Sequence, residues 1–561
     1  MSLKLLPLVC ALLCSAAGRT VHPRGTSSLF ELSIIHLNDF HARFEQTSWS
    51  SGVCAEGTEE TCVGGFPRIY TEVTKLVNER PNAIFLNAGD NFQGTLWYTL
   101  HKWNVTATFL NKLPTDALTL GNHEFDNKIA GVVPFLEHLQ APVVVANIND
   151  SLEPTIQGKY NKSVVIERGG YRIGIVGYIT SSTPDISSPE KLIFLDEIEA
   201  VKSEAANLKA QGVNIIIGLS HAGIEVDRDV AAEVPDIDVI VGGHSHTLLY
   251  TGTPPGGDVA ADVYPVMVRQ SSGRLVAIVQ AGAYSKWLGN LTAWFDEQGE
   301  LVAAEGNPIL LDKNIQQDAG ILQEMVPWKE AMEEMAKQEV GTTKVFLNAS
   351  RGACRKGECN IGSFLTDAIV NELVKKAENG SWTYAAIALT NSGGIRTSIE
   401  ETHNGVITYN DLVTCQPFEN TIDTLELQGR HLLQVLEKSV SDTRHKKGNT
   451  RFTGLGFLQM SGIHVTYDLA QPEGSRVVSL SVLCADCRVP VYEPLQLDKW
   501  YRIGTVSFLT KGGDGYYVIA ENKRNHEIGR LDLDVYMDYL KKSSPIIQGV
   551  EGRIQMKNLR V

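Results

Sequence analysis

Short apolar runs in the first half of this chain stop, one after another, at clusters of Asp, Asn or His, and this repetition constrains the fold more than any other feature. "SIIHLNDFHA" runs into Asp39 and His41, and "AIFLNAGDNF" into Asp90. "ALTLGNHEFD" gives Asn122, His123 and Asp126, "NIIIGLSHAG" gives His221, and "DVIVGGHSHT" gives His244 and His246. Runs this short and this rich in Val, Ile and Leu suit strands buried on both faces. Helical patterns such as "RIYTEVTKLVNER" lie between some of them, so the chain reads as α/β with substantial parallel sheet. In open α/β sheets ligands gather outside the carboxyl ends of the strands. The polar clusters are therefore expected to converge on one rim.

Their chemistry is coherent. Asp and Asn oxygens and His nitrogens are donors for hard to borderline divalent cations, with zinc, calcium, magnesium and manganese all open. Asp39 and His41 are two apart, as are His244 and His246, so each pair projects one way if its strand continues. Asp90 is placed to bridge two ions, and two ions ~3.5–4 Å apart clamp the attacking and leaving oxygens of a phosphoryl displacement. Asp-x-His, Gly-Asp, Gly-Asn-His-Glu, a lone His and Gly-His-x-His, in that order, resemble the signature of calcineurin-like metallophosphoesterases. The resemblance implies a domain of two sheets in a sandwich flanked by helices. Asp39, His41, Asp90, Asn122, His221, His244 and His246 are then the ligands of two divalent metal ions. It also implies catalytic roles for His123, facing the transferred phosphoryl group, and for Asp126, holding the His123 imidazole. A charged imidazole held by a carboxylate suits that task, because it meets charge that develops in the transition state. His36 lies outside the pattern and reads as a strand or core histidine. His246 is a departure, since membrane-bound members of the family carry Asn there; His remains a competent ligand.

At 561 residues the chain is too long for one core. The texture changes near Gln316, where "DAGILQEMVPWKEAMEEMAKQEV" reads as a linker helix. This divides the chain into a first domain at 28–315, a linker at 316–340 and a second α/β domain at 341–558. "CRKGECNIGSFLTDAI", "LTNSGGIR", "CQPFEN" and "VSFLTKGGDGY" resemble the C-terminal, nucleotide-binding domain of the 5′-nucleotidase and apyrase family. By that resemblance Arg355 and Arg396 anchor substrate phosphate, Asn391 meets the nucleoside, Phe418 and Phe508 sandwich the base, and Asp514 accepts from the ribose hydroxyls. Arginine suits its task through two-point contact with phosphate oxygens.

Residues 1–18 read as a secretory signal: Lys4, an apolar core at 5–13, then small residues. Cys10 and Cys14 leave with it. The other cysteines fall into near neighbours Cys54/Cys62, Cys354/Cys359 and Cys484/Cys487, expected as local disulfides, with Cys415 left over. Cys484-Ala-Asp-Cys487 also admits a redox or zinc reading. Sequons at Asn104, Asn149, Asn161, Asn290, Asn348 and Asn379 suit the same secretory route. A formal net charge of −15 argues against nucleic-acid or anionic-membrane partners. The end, "GVEGRIQMKNLRV", lacks the apolar tail of a lipid-anchor signal. Nothing in the sequence sets an oligomeric state. Together with "NAGDNFQGTLWYTLHKWNVTATF", which resembles secreted salivary apyrases of blood-feeding insects, these features predict an extracellular enzyme that takes ATP and ADP to AMP. A 5′-nucleotidase taking AMP to adenosine is the alternative, and a non-catalytic nucleotide-sequestering protein the remote one.

Overall fold

The structure, a computed structural model, describes residues 29–559 apart from 55, 378–380, 402, 443–451 and 455. The leader expected at 1–18 and the Asn379 sequon lie outside the described residues.

The first domain is a sandwich of two six-stranded sheets. In one, Phe30–Leu37 is central, parallel to Ile84–Asn87, which is parallel in turn to Ala117–Leu118. Its other neighbour, Trp287–Phe295, runs antiparallel and carries Leu301–Gly306 at the edge. The opposing sheet holds Tyr171–Ile179, Ile215–His221, Val239–Val241 and Leu275–Val279 as a parallel set, capped by an antiparallel strand on each side. Alternation along one strand explains the layering. Leu32 and Ile34 face the sandwich interior beside Ile84 and Leu86 and the isoleucines at 173, 215 and 217 of the other sheet. Ile35 and Leu37 face outward, under the helices Phe66–Glu79 and Leu96–Leu110. His36 points inward, pushed to a pKa of about 3 by burial, and its Nε2 lies 3.0 Å from the Tyr264 hydroxyl. It is a core histidine, as its position outside the motif suggested.

The second domain packs a five-stranded and a four-stranded sheet. The first contains Ile387–Asn391, Trp500–Val506 and Ile422–Gln428, covered by the amphipathic helix Asn360–Val374. The predicted linker differs in one respect. It is two helices, Ala319–Glu330 and Glu333–Ala336, rather than one. The break falls at Ala331 and Met332, where Met332 turns into the core at 4% exposure, and burying that side chain outweighs continuing a short helix. The segment Leu96–Leu110 is likewise interrupted, at Lys102, whose φ of 53° and ψ of −141° are not helical.

Candidate active site

All five motif strands deliver their polar ends to one place, where the two sheets of the sandwich meet. Asp39, Asp90 and Asn122 come from one sheet and His221, His244 and His246 from the other. The rim is therefore built across two sheet edges. The condition for Asp39 and His41 to project one way, a strand that continues through them, is not met. The strand ends at Leu37, and Asp39, His41, Asp90, His244 and His246 have φ of 51°, 49°, 52°, 71° and 51°. Non-glycine residues in this left-handed region cost of order 1–3 kcal/mol each and cluster where surrounding structure and function over-determine them. Two glycines make room. A Cβ on Gly121 would collide with Asp90 Oδ1, and one on Gly243 would meet His221 Nδ1 at 2.9 Å.

The donors form two sets sharing Asp90: Asp39, His41, Asp90 and His246, and Asp90, His221 and His244, with the ligand atoms of each set within 4.8 Å of one another. Asn122 joins the second set, its Oδ1 lying 2.8 Å from His244 Nδ1. In the first set the Nε2 atoms of His41 and His246 face each other at 3.1 Å, and His246 Nε2 is 3.2 Å from Asp39 Oδ1. The other nitrogens of two rings are occupied: Nδ1 of His41 lies 3.2 Å from Phe92 O, and Nδ1 of His221 lies 2.6 Å from Ala88 O. A backbone carbonyl on one nitrogen fixes the tautomer and frees the other for a metal. His221 Nε2 is buried 3.0 Å from Asp90 Oδ2. Burial pushes His244 to a pKa of about 3 and holds His41 and His246 well below 6.5, so these imidazoles are neutral, as ligands must be. Burial pushes Asp39 up to about 6, a cost that a bound cation removes. The chemistry of the donors fits divalent ions, with Asp90 common to both groups.

His123 stands beside this centre. Its Nδ1 donates to Asp126 Oδ2 at 2.6 Å, and its backbone N–H donates to Asp90 Oδ1 at 2.9 Å. Burial alone would lower its pKa, but Asp126 and Asp90 outweigh burial and hold it above the usual 6.5. The second domain closes over the same spot. The Phe418 ring lies 5.5 Å from the His123 ring at 25°, and Arg396 Nη2 donates to His41 Nε2 at 3.3 Å. The Arg396 guanidinium also sits 5.6 Å over Phe418. Asn391 Nδ2 donates to Asp514 Oδ2 at 2.7 Å, and burial raises the Asp514 carboxyl. Arg355 is pushed down to about 9, first by burial and then by Arg351 and Arg396. Phe508 lies across Gly513, where a Cβ would meet its ring at 2.5 Å, and it also packs on the core. Phe418 is half-buried and stands outside the hydrophobic core.

Other residues of the site escaped the sequence reading. Arg351 donates from Nη1 to the Ser245 carbonyl across the domains. Its position four before Arg355 on a helical stretch was the available signal. Tyr284 places its ring 5.4 Å from His41 and 5.1 Å from His246, with the buried Arg43 guanidinium 4.7 Å over it. Glu124 accepts from four backbone amides, those of Asp90, Asn91, Phe92 and Gly121. It thereby ties the Asp90 turn to the Asn122 turn.

The cysteines pair as expected, Cys54–Cys62, Cys354–Cys359 and Cys484–Cys487. The last bond takes up both thiolates that a zinc reading of Cys-x-x-Cys required. Cys415 is buried and free, its thiol pushed up to about 12 by burial. Asn104 and Asn161 are exposed, as glycan acceptors need to be. Among the described residues no helix is long and apolar enough to cross a membrane.

Comparison with known proteins bears on the same residues. A family model described as calcineurin-like phosphoesterase matches residues 32–248, and one described as 5′-nucleotidase, C-terminal domain matches residues 339–521. The chain is 50% identical over 530 residues to an apyrase of Tabanus yao, covering 94% of each. It is 42% identical over 534 residues to a 5′-nucleotidase of Rattus norvegicus, covering 94% of this chain and 91% of that one. The crystal structure of a 5′-nucleotidase precursor from Thermus thermophilus is similar with a TM-score of 0.86 at 34% identity, covering 95% of this chain and 100% of that one.

Proposed function

Because this chain belongs to the 5′-nucleotidase family of metal-dependent nucleotide hydrolases, with a calcineurin-like phosphoesterase domain ahead of the family's C-terminal domain, we propose that it is a secreted apyrase, releasing the terminal phosphates of ATP and ADP and leaving AMP. The observation that carries the reading is the position of Arg396. It reaches from the second domain to within 3.3 Å of a candidate metal ligand, with Arg355 and Arg351 beside it. When AMP is cut, the leaving group is a nucleoside. When ADP is cut, the leaving group carries its own phosphate, which the guanidinium groups of Arg355 and Arg396 suit by two-point contact.

Divalent ions, when bound, supply Lewis-acid stabilisation of the phosphoryl oxygens and a nucleophile from water near neutral pH. Asp39, His41, Asp90 and His246 on one side, and Asp90, Asn122, His221 and His244 on the other, would hold them. His123, kept charged by Asp126, faces the phosphoryl group and stabilises the charge that develops on it. Arg355 and Arg396 hold the phosphate that leaves. Phe418, with Phe508, stacks the base, and Asp514, steadied by Asn391, accepts from the ribose hydroxyls. Outside the cell such an enzyme removes ADP, and with it the ADP signal for platelet aggregation.

Hydrolysis of AMP to adenosine is the second reading, favoured by the 42% identity to the rat 5′-nucleotidase. Phosphate release from ATP, ADP and AMP, with and without chelator, separates the two. Release from ATP and ADP that stops at AMP supports the apyrase. Release chiefly from AMP overturns it. Tight nucleotide binding with no release from any would leave a sequestering protein.

A further inference from the structure

Asp126 presents its two carboxylate oxygens to two different partners. Oδ2 accepts from His123 Nδ1 at 2.6 Å, and Oδ1 accepts from Ser187 Oγ at 2.7 Å. Ser187 caps the short helical turn Thr183–Ile186 in an extended conformation, φ −153° and ψ −164°. The turn is fixed from the first domain's side. The Ser187 backbone N–H donates to Thr183 O at 2.9 Å, Thr183 Oγ1 donates to Thr180 O at 2.7 Å, and Thr180 N–H donates to the carbonyl of His221 at 2.9 Å. The serine is thus referenced to a candidate ligand strand. From the other side the turn meets the second domain, where the Tyr517 hydroxyl donates to Asp185. Tyr517 follows the loop Gly513–Gly515, which carries Asp514.

We propose that Ser187 is a positioning residue for hydrolysis: it fixes the Asp126 carboxylate in the orientation that keeps His123 Nδ1 paired and turns the opposite ring nitrogen to the phosphoryl group. This rests on the reading of His123 given above. A carboxylate held on one oxygen alone can swing about its Cβ–Cγ bond, a broad two-fold torsion. A hydroxyl on the second oxygen removes that freedom without neutralising the charge His123 needs. The turn that carries the hydroxyl is gripped by both domains, so the orientation is complete when the nucleotide-binding domain is docked.

The test compares S187T with S187V in the full chain. The two side chains are nearly isosteric, the extended backbone at 187 accepts either, and only Thr retains the hydroxyl. With ADP as substrate, and per folded molecule by circular dichroism, S187V should lower kcat about ten- to a hundred-fold relative to S187T, the rate equivalent of one charge-assisted hydrogen bond. KM and bound metal should stay within about twofold. In a D126A background the two variants should turn over equally, because the serine acts only through that carboxylate. Equal kcat for S187T and S187V in the otherwise native chain, a difference that persists with D126A, or an effect on KM alone would overturn the proposal. H123A keeps the two levels apart. If H123A retains turnover, the reading of His123 falls; if it abolishes turnover while S187T and S187V match, only the role of Ser187 falls.

Discussion

Asp90 Oδ2 and His221 Nε2 lie 3.0 Å apart as an ion pair in a fully buried spot. The same oxygen is 3.7 Å from His41 Nε2, which belongs to the other donor set. One carboxylate oxygen thus looks at an imidazole of each set, the relation expected of a ligand shared by two cations. His221 and Asp90 stabilise each other's charge, but burial still raises the Asp39 carboxyl to about 6, a cost that a cation offsets.

His123 should contribute through its charge. Replacing it with Ala should lower kcat by about 10²–10⁴-fold, the usual range for a positioned acid or base, while bound metal stays unchanged. Its pKa is raised above 6.5, so the charged form persists as pH rises past that value, and activity should fall only as pH climbs through the raised pKa. Bound cations offset the help from Asp90, leaving Asp126 as the sustaining partner. D126N should therefore move the alkaline fall in kcat to lower pH; an alkaline limb that does not move would remove Asp126 from this role. On the acid side, protons compete with metal for His41, His244 and His246, so activity and metal content should decline together.

Phe418 should serve binding more than folding. Base–aromatic stacking is worth about 1–3 kcal/mol, so F418A should raise KM for adenine nucleotides by roughly five- to 150-fold. A phosphate ester without a base should be cut nearly as before. Phe508 packs on the core as well, and F508A should also lower the melting temperature. A matching loss of stability in F418A would make Phe418 a core residue instead.

Glu124 collects four amide hydrogen bonds behind the ligands. Burial, then the neighbouring Asp90, raises its pKa to about 7. E124Q keeps the shape but weakens acceptance, and supporting residues of this kind typically change metal affinity by about 10–100-fold. A metal titration should show weaker binding in a folded protein. Unchanged affinity would mean the amides hold the Asp90 turn without it.

The chain disclosed the donors because each is a polar residue that ends an apolar strand, a local signature. It disclosed the two-domain plan through strand–helix alternation and a charged helical stretch near residue 320. It did not disclose the left-handed turns at Asp39, His41 and Asp90, because backbone conformation after a strand depends on what the ends pack against. Tyr284 and Ser187 were equally silent, and Arg351 was marked only by its place four before Arg355. Tyr284 and Ser187 reach the site from remote segments, and nothing local marks such residues. The break in the linker at Met332 has the same origin, since a tertiary burial overrode a helical pattern.

The account stands most directly on the sharing of Asp90, and metal analysis of the purified protein beside its D90N variant tests it. Two divalent ions per chain in the native protein, with both reduced and turnover lost in folded D90N, is the predicted result. A single ion per chain, or two ions retained in D90N, would contradict it.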